Sequence, residues 1–134
     1  MFSKHKQQRF DQIYFRNKFI LSYNEEGYYE LCIKDNVEIF IADIHLIVNG
    51  QKQLNGSKAP TLISGGQYST TNTETLKYIS INENMPCSKC AAFIVSSISQ
   101  KLLANFYLKI YKPQRPTRFF NNKNDAISWL KQYI

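Results

Sequence analysis

The sequence predicts a mixed α/β domain: a mostly parallel sheet of about five strands with about four helices, in the order β-β-α-β-α-β-α-β-α. Three observations carry this. Short runs of β-branched and aromatic residues alternate with segments of helical period. The first two such runs are separated by Asn24-Glu25-Glu26-Gly27, a reversal in which Gly27 supplies positive φ. The stretch from Cys90 to Val95 is apolar without alternation, as a strand covered on both faces requires. Strands that alternate with helices imply parallel crossovers, and the opening hairpin makes the sheet mixed.

Residues 1–16 are polar and basic without a clean period, and are assigned to an N-terminal tail or irregular extension; residues 17–134 form a single domain. Phe19, Leu21 and Tyr23 alternate with Ile20 and Ser22, and Tyr29, Leu31 and Ile33 share one side of the next strand. Asp35-Asn36 breaks it. Ile41, Ile44, Ile47, Val48 and Leu54 then recur at helical spacing, with Asn55-Gly56 as a stop. Thr61-Leu62-Ile63 reads as a short buried strand closed by Ser64-Gly65-Gly66.

Thr71-Asn72-Thr73-Glu74 has capping-box spacing, with Thr71 as the N-cap and Leu76 and Ile79 facing inward. After the strand that begins at Cys90, Ser96 to Ser99 offers N-caps for a helix. Its expected core face is Ile98, Leu102, Leu103, Phe106 and Ile110. Pro113 and Pro116 end it. Thr117 to Phe120 is a last strand, and Asn121-Asn122 opens a final helix with Ile127, Leu130 and Ile134 inward.

The 134 residues suit one ordinary core, and 43% hydrophobic content argues against a disordered chain. No apolar run approaches the roughly 20 residues of a membrane span. No apolar region follows the basic start, so no secretory signal is read there, and the expected compartment is the cytoplasm. Three cysteines, Cys32, Cys87 and Cys90, fit reduced usage and not a disulfide framework.

The net charge of +7 is unevenly placed. Between Glu83 and Asp125 lie seven bases and no acid, and Lys4, Lys6, Arg9, Arg16 and Lys18 stand near the N-terminus against Asp11. Such asymmetry attracts phosphate or acidic partners.

The apolar strand ending in Ser96-Ser97, the following SQKLLANFYLKIYKPQRPTRFF and then NNKNDAISWLKQY together resemble STAS-like (SpoIIAA-like) domains. This is the fold of bacterial anti-sigma-factor antagonists and of small stand-alone bacterial proteins. In that group a similar strand leads into a helix ending in a Lys-Pro turn, here Lys112-Pro113. A short strand ending in Phe and an Ala-x-x-Trp-Leu helix follow, here Phe120 and Ala126 to Leu130. The resemblance covers roughly residues 18–134 and implies the fold more than a function. It implies regulatory protein–protein interaction or small-ligand binding. In regulatory members an acidic residue precedes a phosphorylated Ser at the turn after the third strand. Leu62 to Thr71 lacks that Asp-Ser-Ser arrangement, which leaves Ser69, Thr70 and Thr71 as the hydroxyls available.

Several groups are candidates for chemistry. The hydroxyl-rich segments Ser64 to Thr75, with Ser69, Thr70 and Thr71, and Ser96 to Ser99, with Ser96 and Ser97, lie where parallel strands end and helices begin. That edge of an open α/β sheet is where ligands bind. Lys101, Lys109, Lys112, Arg115 and Arg118 mix with aromatics, a combination that binds anions or single-stranded nucleic acid. The same pattern describes an amphipathic helix with lysines in water, which is the preferred reading. Cys87-Ser88-Lys89-Cys90 is a weak metal or redox candidate, because no second CxxC completes a zinc site. His45 lies beside the apolar face of the first helix as a boundary histidine, and His5 carries no signal.

No Walker or dinucleotide pattern is present, so no cofactor is assigned. No nucleophile, base and orienter set is visible. The expected function is a non-enzymatic domain with a protein partner or a small ligand, and a homodimer is compatible with it. The alternative is a nucleic-acid- or anion-binding module using residues 101–118.

Overall fold

The computed structural model describes residues 18–134, together with the backbone of residues 12–15. The sheet grows from the predicted hairpin. Phe19–Asn24 (β2) pairs antiparallel with Tyr28–Ile33 (β3), with Tyr23 opposite Tyr29. Gly27 closes the reversal at φ +109°, its N–H donating to the Asn24 carbonyl at 2.8 Å. Asn24 Oδ1 accepts from the Glu26 N–H at 2.8 Å, the local bond that makes asparagine a turn residue. Gln12–Phe15 (β1) adds a strand to the outer edge of β2, Gln12 opposite Ser22.

The parallel part follows in sequence order. Ala59–Ser64 (β5) lies beside β3, Ser88–Ile94 (β7) beside β5, and Thr117–Phe120 (β8) beside β7. The order across the sheet is β1-β2-β3-β5-β7-β8. The mixed, mostly parallel architecture expected from the sequence is therefore what the strands form, with β1 as a sixth strand. A second ladder was not anticipated: Glu38–Ile39 (β4) and Thr70–Thr71 (β6) pair in parallel beyond the ends of β3 and β5.

Among the described residues four α-helices complete the order: Ile41–Leu54 (α1), Thr73–Ile79 (α2), Ile98–Phe106 (α3) and Lys123–Leu130 (α4). Their N-termini are capped by local side chains. Asp43 Oδ2 accepts from the Phe40 N–H at 2.9 Å, and Ser97 Oγ from the Gln100 N–H at 3.1 Å. Asn122 Oδ1 accepts from the Asp125 N–H at 2.9 Å. The cap of α2 is Asn72, whose Oδ1 accepts from the Thr75 N–H at 2.8 Å. This corrects the expected Thr71 cap. Pairing of β6 with β4 holds Thr71 in a strand, where its hydroxyl donates to the Ile39 carbonyl at 2.6 Å.

Two cores form on the two sheet faces. On one, Leu21, Tyr29, Leu31, Ile63 and Ala91 pack with Ile44 and Ile47 of α1. On the other, Tyr28, Leu62, Cys90 and Ala92 pack with Ala126 and Leu130 of α4. The Lys123–Glu30 ion pair at 2.8 Å ties α4 to β3. Ile134, expected inward, is exposed, with its side chain beside Gly27 of the hairpin turn.

The main correction concerns α3. Of the five residues expected to face the core, only Leu103 is sheltered to an intermediate degree. Ile98 is 78% exposed, Leu102 65% and Ile110 59%, and Phe106 also faces outward. The buried row is Gln100, Ala104 and Tyr107. Tyr107 stands edge-on to Phe93 and Phe119, with centroids 6.3 and 6.5 Å apart. Ala104 lets the helix approach the sheet. Gln100 Nε2 donates to the Gly66 carbonyl at 2.9 Å, binding α3 to the loop after β5. The helix ends in a wide turn, Tyr107–Tyr111, closed by Lys112 in the left-handed region at φ +46°.

Candidate functional site

The hydroxyl turns lie at the C-terminal edge of the parallel strands, and the structure brings them together through one side chain. Gln100 Nε2 donates to the Gly66 carbonyl and reaches the Ser69 carbonyl and hydroxyl, each at 3.3 Å, while its Oε1 accepts from the Ser96 N–H at 3.2 Å. Ser69 is buried and donates its hydroxyl to the Gly66 carbonyl at 2.7 Å. Ser97 is the α3 cap and Thr71 bonds β4, so within 69–71 only Thr70 is exposed. Close approach here requires glycine: a Cβ on Gly66 would sit 2.3 Å from the Lys34 carbonyl oxygen.

Beneath this edge, between the sheet and α1, α2 and α3, lies a cavity of about 160 Å³. Ile44, Ile63, Leu76, Phe93 and Phe119 make its walls largely apolar. Nine of its lining residues are polar, and three of them carry buried polar atoms without a hydrogen-bond partner. Arg115, only 6% exposed, has Nε and Nη2 buried without a hydrogen-bond partner. The Tyr107 hydroxyl and Thr75 Oγ1 are likewise buried and unpartnered. Burial raises the Tyr107 phenol pKa, opposed by the adjacent Arg115 guanidinium, whose charge and donor capacity both favour the phenolate although no hydrogen bond of ordinary geometry joins the two. Among the described residues, no ion pair involves Arg115. At the N-terminal end of the strands Thr61 and Ser88, which also line the cavity, bond to one another and to Gln51, whose Oε1 is buried without a partner. Thr61 Oγ1 and Ser88 Oγ share a 2.8 Å bond, and Gln51 Nε2 donates to Thr61 at 3.2 Å.

The outer face of α3 is a second feature. Ile98, Leu102, Phe106 and Ile110 follow one another at four-residue spacing, and Tyr68, 73% exposed, borders Ile98 in a cleft with Leu103. Lys101 and Lys109 are exposed in the next row of the same helix and its closing turn.

The basic candidates do not share one surface. Lys101, Lys109 and Lys112 are exposed along α3 and its end, whereas Arg115 turns inward. Arg118 lies over the Phe120 ring at 5.3 Å, on the side of β8 that meets α4. Strand alternation splits the CxxC pair as well. Cys87 packs in the core under α1 and Cys90 in the core under α4. Burial pushes both thiols up, Cys90 to about 11, away from the thiolate that metal or exchange chemistry needs. Among the described residues, no three His, Cys, Asp or Glu side chains cluster to hold a metal. His45 is exposed, with Nε2 2.9 Å from the Tyr78 hydroxyl. Lys18 pairs with Asp43 at 2.9 Å; Lys4, His5, Lys6, Arg9 and Arg16 lie outside the described residues.

Arg115, grouped by the sequence with surface bases, turns inward, and Tyr107 from the neighbouring aromatics and Thr75 from the end of the hydroxyl-rich segment line the same cavity. The acid-free run around Arg115 was the one available signal.

The fold and these features define an α/β domain with a largely apolar cavity and an exposed apolar helix face. Among the described residues, no helix is long and apolar enough to cross a membrane. Residues 24–134 match the family described as Domain of unknown function (DUF7793), and the chain belongs to that family. A crystal structure of an uncharacterized protein from the DUF3478 family with a SpoIIAA-like fold, from Shewanella loihica PV-4, is similar at 16% identity and a TM-score of 0.48. The match covers 84% of this chain and 91% of the other. No curated protein matches the chain.

Proposed function

We propose that this chain is a non-enzymatic docking domain whose outer α3 face binds an acidic partner protein. The observation that supports this is the exposed stripe Ile98, Leu102, Phe106 and Ile110. A contiguous apolar face in water is unfavourable for a folded domain and marks a contact surface. The stripe rides on a helix held in place by the Gln100 bonds, so little ordering would accompany docking.

Charge selects among occupants. Lys101, Lys109 and Lys112 accompany the stripe, and no acid occurs between Glu83 and Asp125. Two copies meeting through this face would oppose lysine to lysine, whereas an amphipathic helix with acidic flanks complements it. The non-enzymatic reading is supported by the candidate nucleophiles: Ser69 bonds a carbonyl, Ser97 caps a helix, and Cys87 and Cys90 are buried apart.

Photo-crosslinking in the native cell tests this, with the reactive group at position 102 and a control at exposed position 124 on α4. An acidic protein is expected to crosslink from 102 and not from 124. Its binding to the purified domain should fall about tenfold or more with Leu102→Asp, and should weaken with salt. Crosslinking only to lipid or to a second copy, or binding indifferent to Leu102→Asp, would overturn the reading.

A further inference from the structure

A cation buried without a counter-ion is among the least favourable arrangements in a folded chain. Among the described residues, Arg115 presents that arrangement. The two atoms without partners, Nε and Nη2, are the neighbouring donors on one edge of the guanidinium. That edge offers two parallel N–H groups matched to the two oxygens of a carboxylate. Tyr107 and Thr75 add two unpartnered hydroxyls to the same cavity. The remaining wall is largely apolar, interrupted by Thr61, Ser69, Thr70, Thr71, Ser88 and Gln100, and the volume of about 160 Å³ is close to a cavity of roughly 150 Å³ that accepts benzene.

We infer that this cavity is a binding site for a small organic acid, its carboxylate held by Arg115 and its apolar body, about one ring in bulk, against Ile63, Leu76 and Phe93. The donors and the wall divide the work. Arg115 selects for negative charge, because a neutral ligand leaves the guanidinium unpaired. The apolar wall selects against inorganic anions, which fill little of the space and leave it open. Ser69, Thr70, Gln100 and Leu103 line both this cavity and the surface cleft beside Tyr68, so the two spaces adjoin across these side chains. The site is independent of the docking reading, since the exposed stripe and the cavity lie on opposite sides of α3.

Calorimetric titration of the full chain with benzoate, toluene and inorganic phosphate tests the assignment. Benzoate is expected to bind saturably, and toluene and phosphate each at least about tenfold more weakly, the loss of one charge-assisted pair or of the apolar contact. Arg115→Met, which keeps the apolar stem, should abolish the preference for benzoate while toluene binding persists. Arg115→Lys keeps the charge without the paired donors and should fall between. Tyr107→Phe provides a second readout should the Arg115 variants fail to fold, with benzoate affinity reduced severalfold. Failure of benzoate to bind, equal binding of phosphate, or an Arg115→Met protein that retains benzoate preference would overturn the inference.

Discussion

Leu102→Ala and Tyr107→Ala distinguish the two ways in which α3 could meet the sheet. Leu102 is 65% exposed, so about a third of its side-chain surface is withdrawn from water. Burying a leucine fully is worth roughly 1.5–3 kcal/mol, and a third of that is about 0.5–1 kcal/mol. Alanine's better helix propensity returns about 0.2 kcal/mol. The expected cost of Leu102→Ala is therefore below about 1 kcal/mol. Tyr107 is 1% exposed and packs on Phe93 and Phe119, so its truncation should cost roughly 3–5 kcal/mol, in the range of buried aromatics. The hydrophobic pattern of the sequence requires the reverse, with Leu102→Ala costing about 2–5 kcal/mol as a core leucine. Urea unfolding followed by the fluorescence of Trp129, the single tryptophan, measures both values. A cost above about 2 kcal/mol for Leu102→Ala, with less than about 1 for Tyr107→Ala, would refute the placement of α3 and the docking face with it.

Gly66→Ala should lose about 1–3 kcal/mol in the same assay, because the new Cβ would lie 2.3 and 2.4 Å from backbone atoms of Lys34. Gly65→Ala meets only the movable Gln100 amide at 3.3 Å and should cost clearly less; equal losses would contradict the close approach. Cys87 and Cys90 should resist thiol reagents at pH 8 until the protein unfolds, and rapid labelling of the folded chain would show the burial to be wrong. The same burial makes stability pH-dependent. Cys90 titrates near 9.0 when unfolded and about 11 when folded, so its contribution is complete below pH 9 and is lost as pH rises to 11. The slope is at most about 1.4 kcal/mol per pH unit, and Cys90→Ala should remove it. An unchanged alkaline slope in that variant would exclude Cys90 as its source.

What was legible in the sequence was local. The alternation at Phe19, Leu21 and Tyr23 placed a strand because side chains two apart share a face. Gly27 marked the turn because only positive φ closes it. Ser97 and Asn122 cap their helices as short polar side chains do, through bonds within three residues. Thr71 misled because its capping spacing is local while its actual bond runs to Ile39, in a ladder that joins segments 32 residues apart.

The candidate site was less legible. Nothing in the spacing of Thr75, Tyr107 and Arg115 suggests that they line one cavity, since they come from three segments that converge only over the sheet. Arg115 reads as a surface base in any window of sequence, flanked as it is by Gln114, two prolines and Lys112.

By itself, the sequence determined the succession of the main strands and helices, their stops and all but one of the caps it named, and hence a mixed, mostly parallel sheet. Each of those is set by dihedral preferences and hydrogen bonds within a few residues. The tertiary structure alone decided which face of α3 is buried, that Arg115 points inward, and that Cys87 and Cys90 part to opposite sides of the sheet. A helix with apolar residues on two rows can dock by either. Gln100 makes the choice through partners more than thirty residues away, at Gly66 and Ser69, and the smaller row of Gln100 and Ala104 brings Tyr107 into the core while the larger apolar row is left facing water.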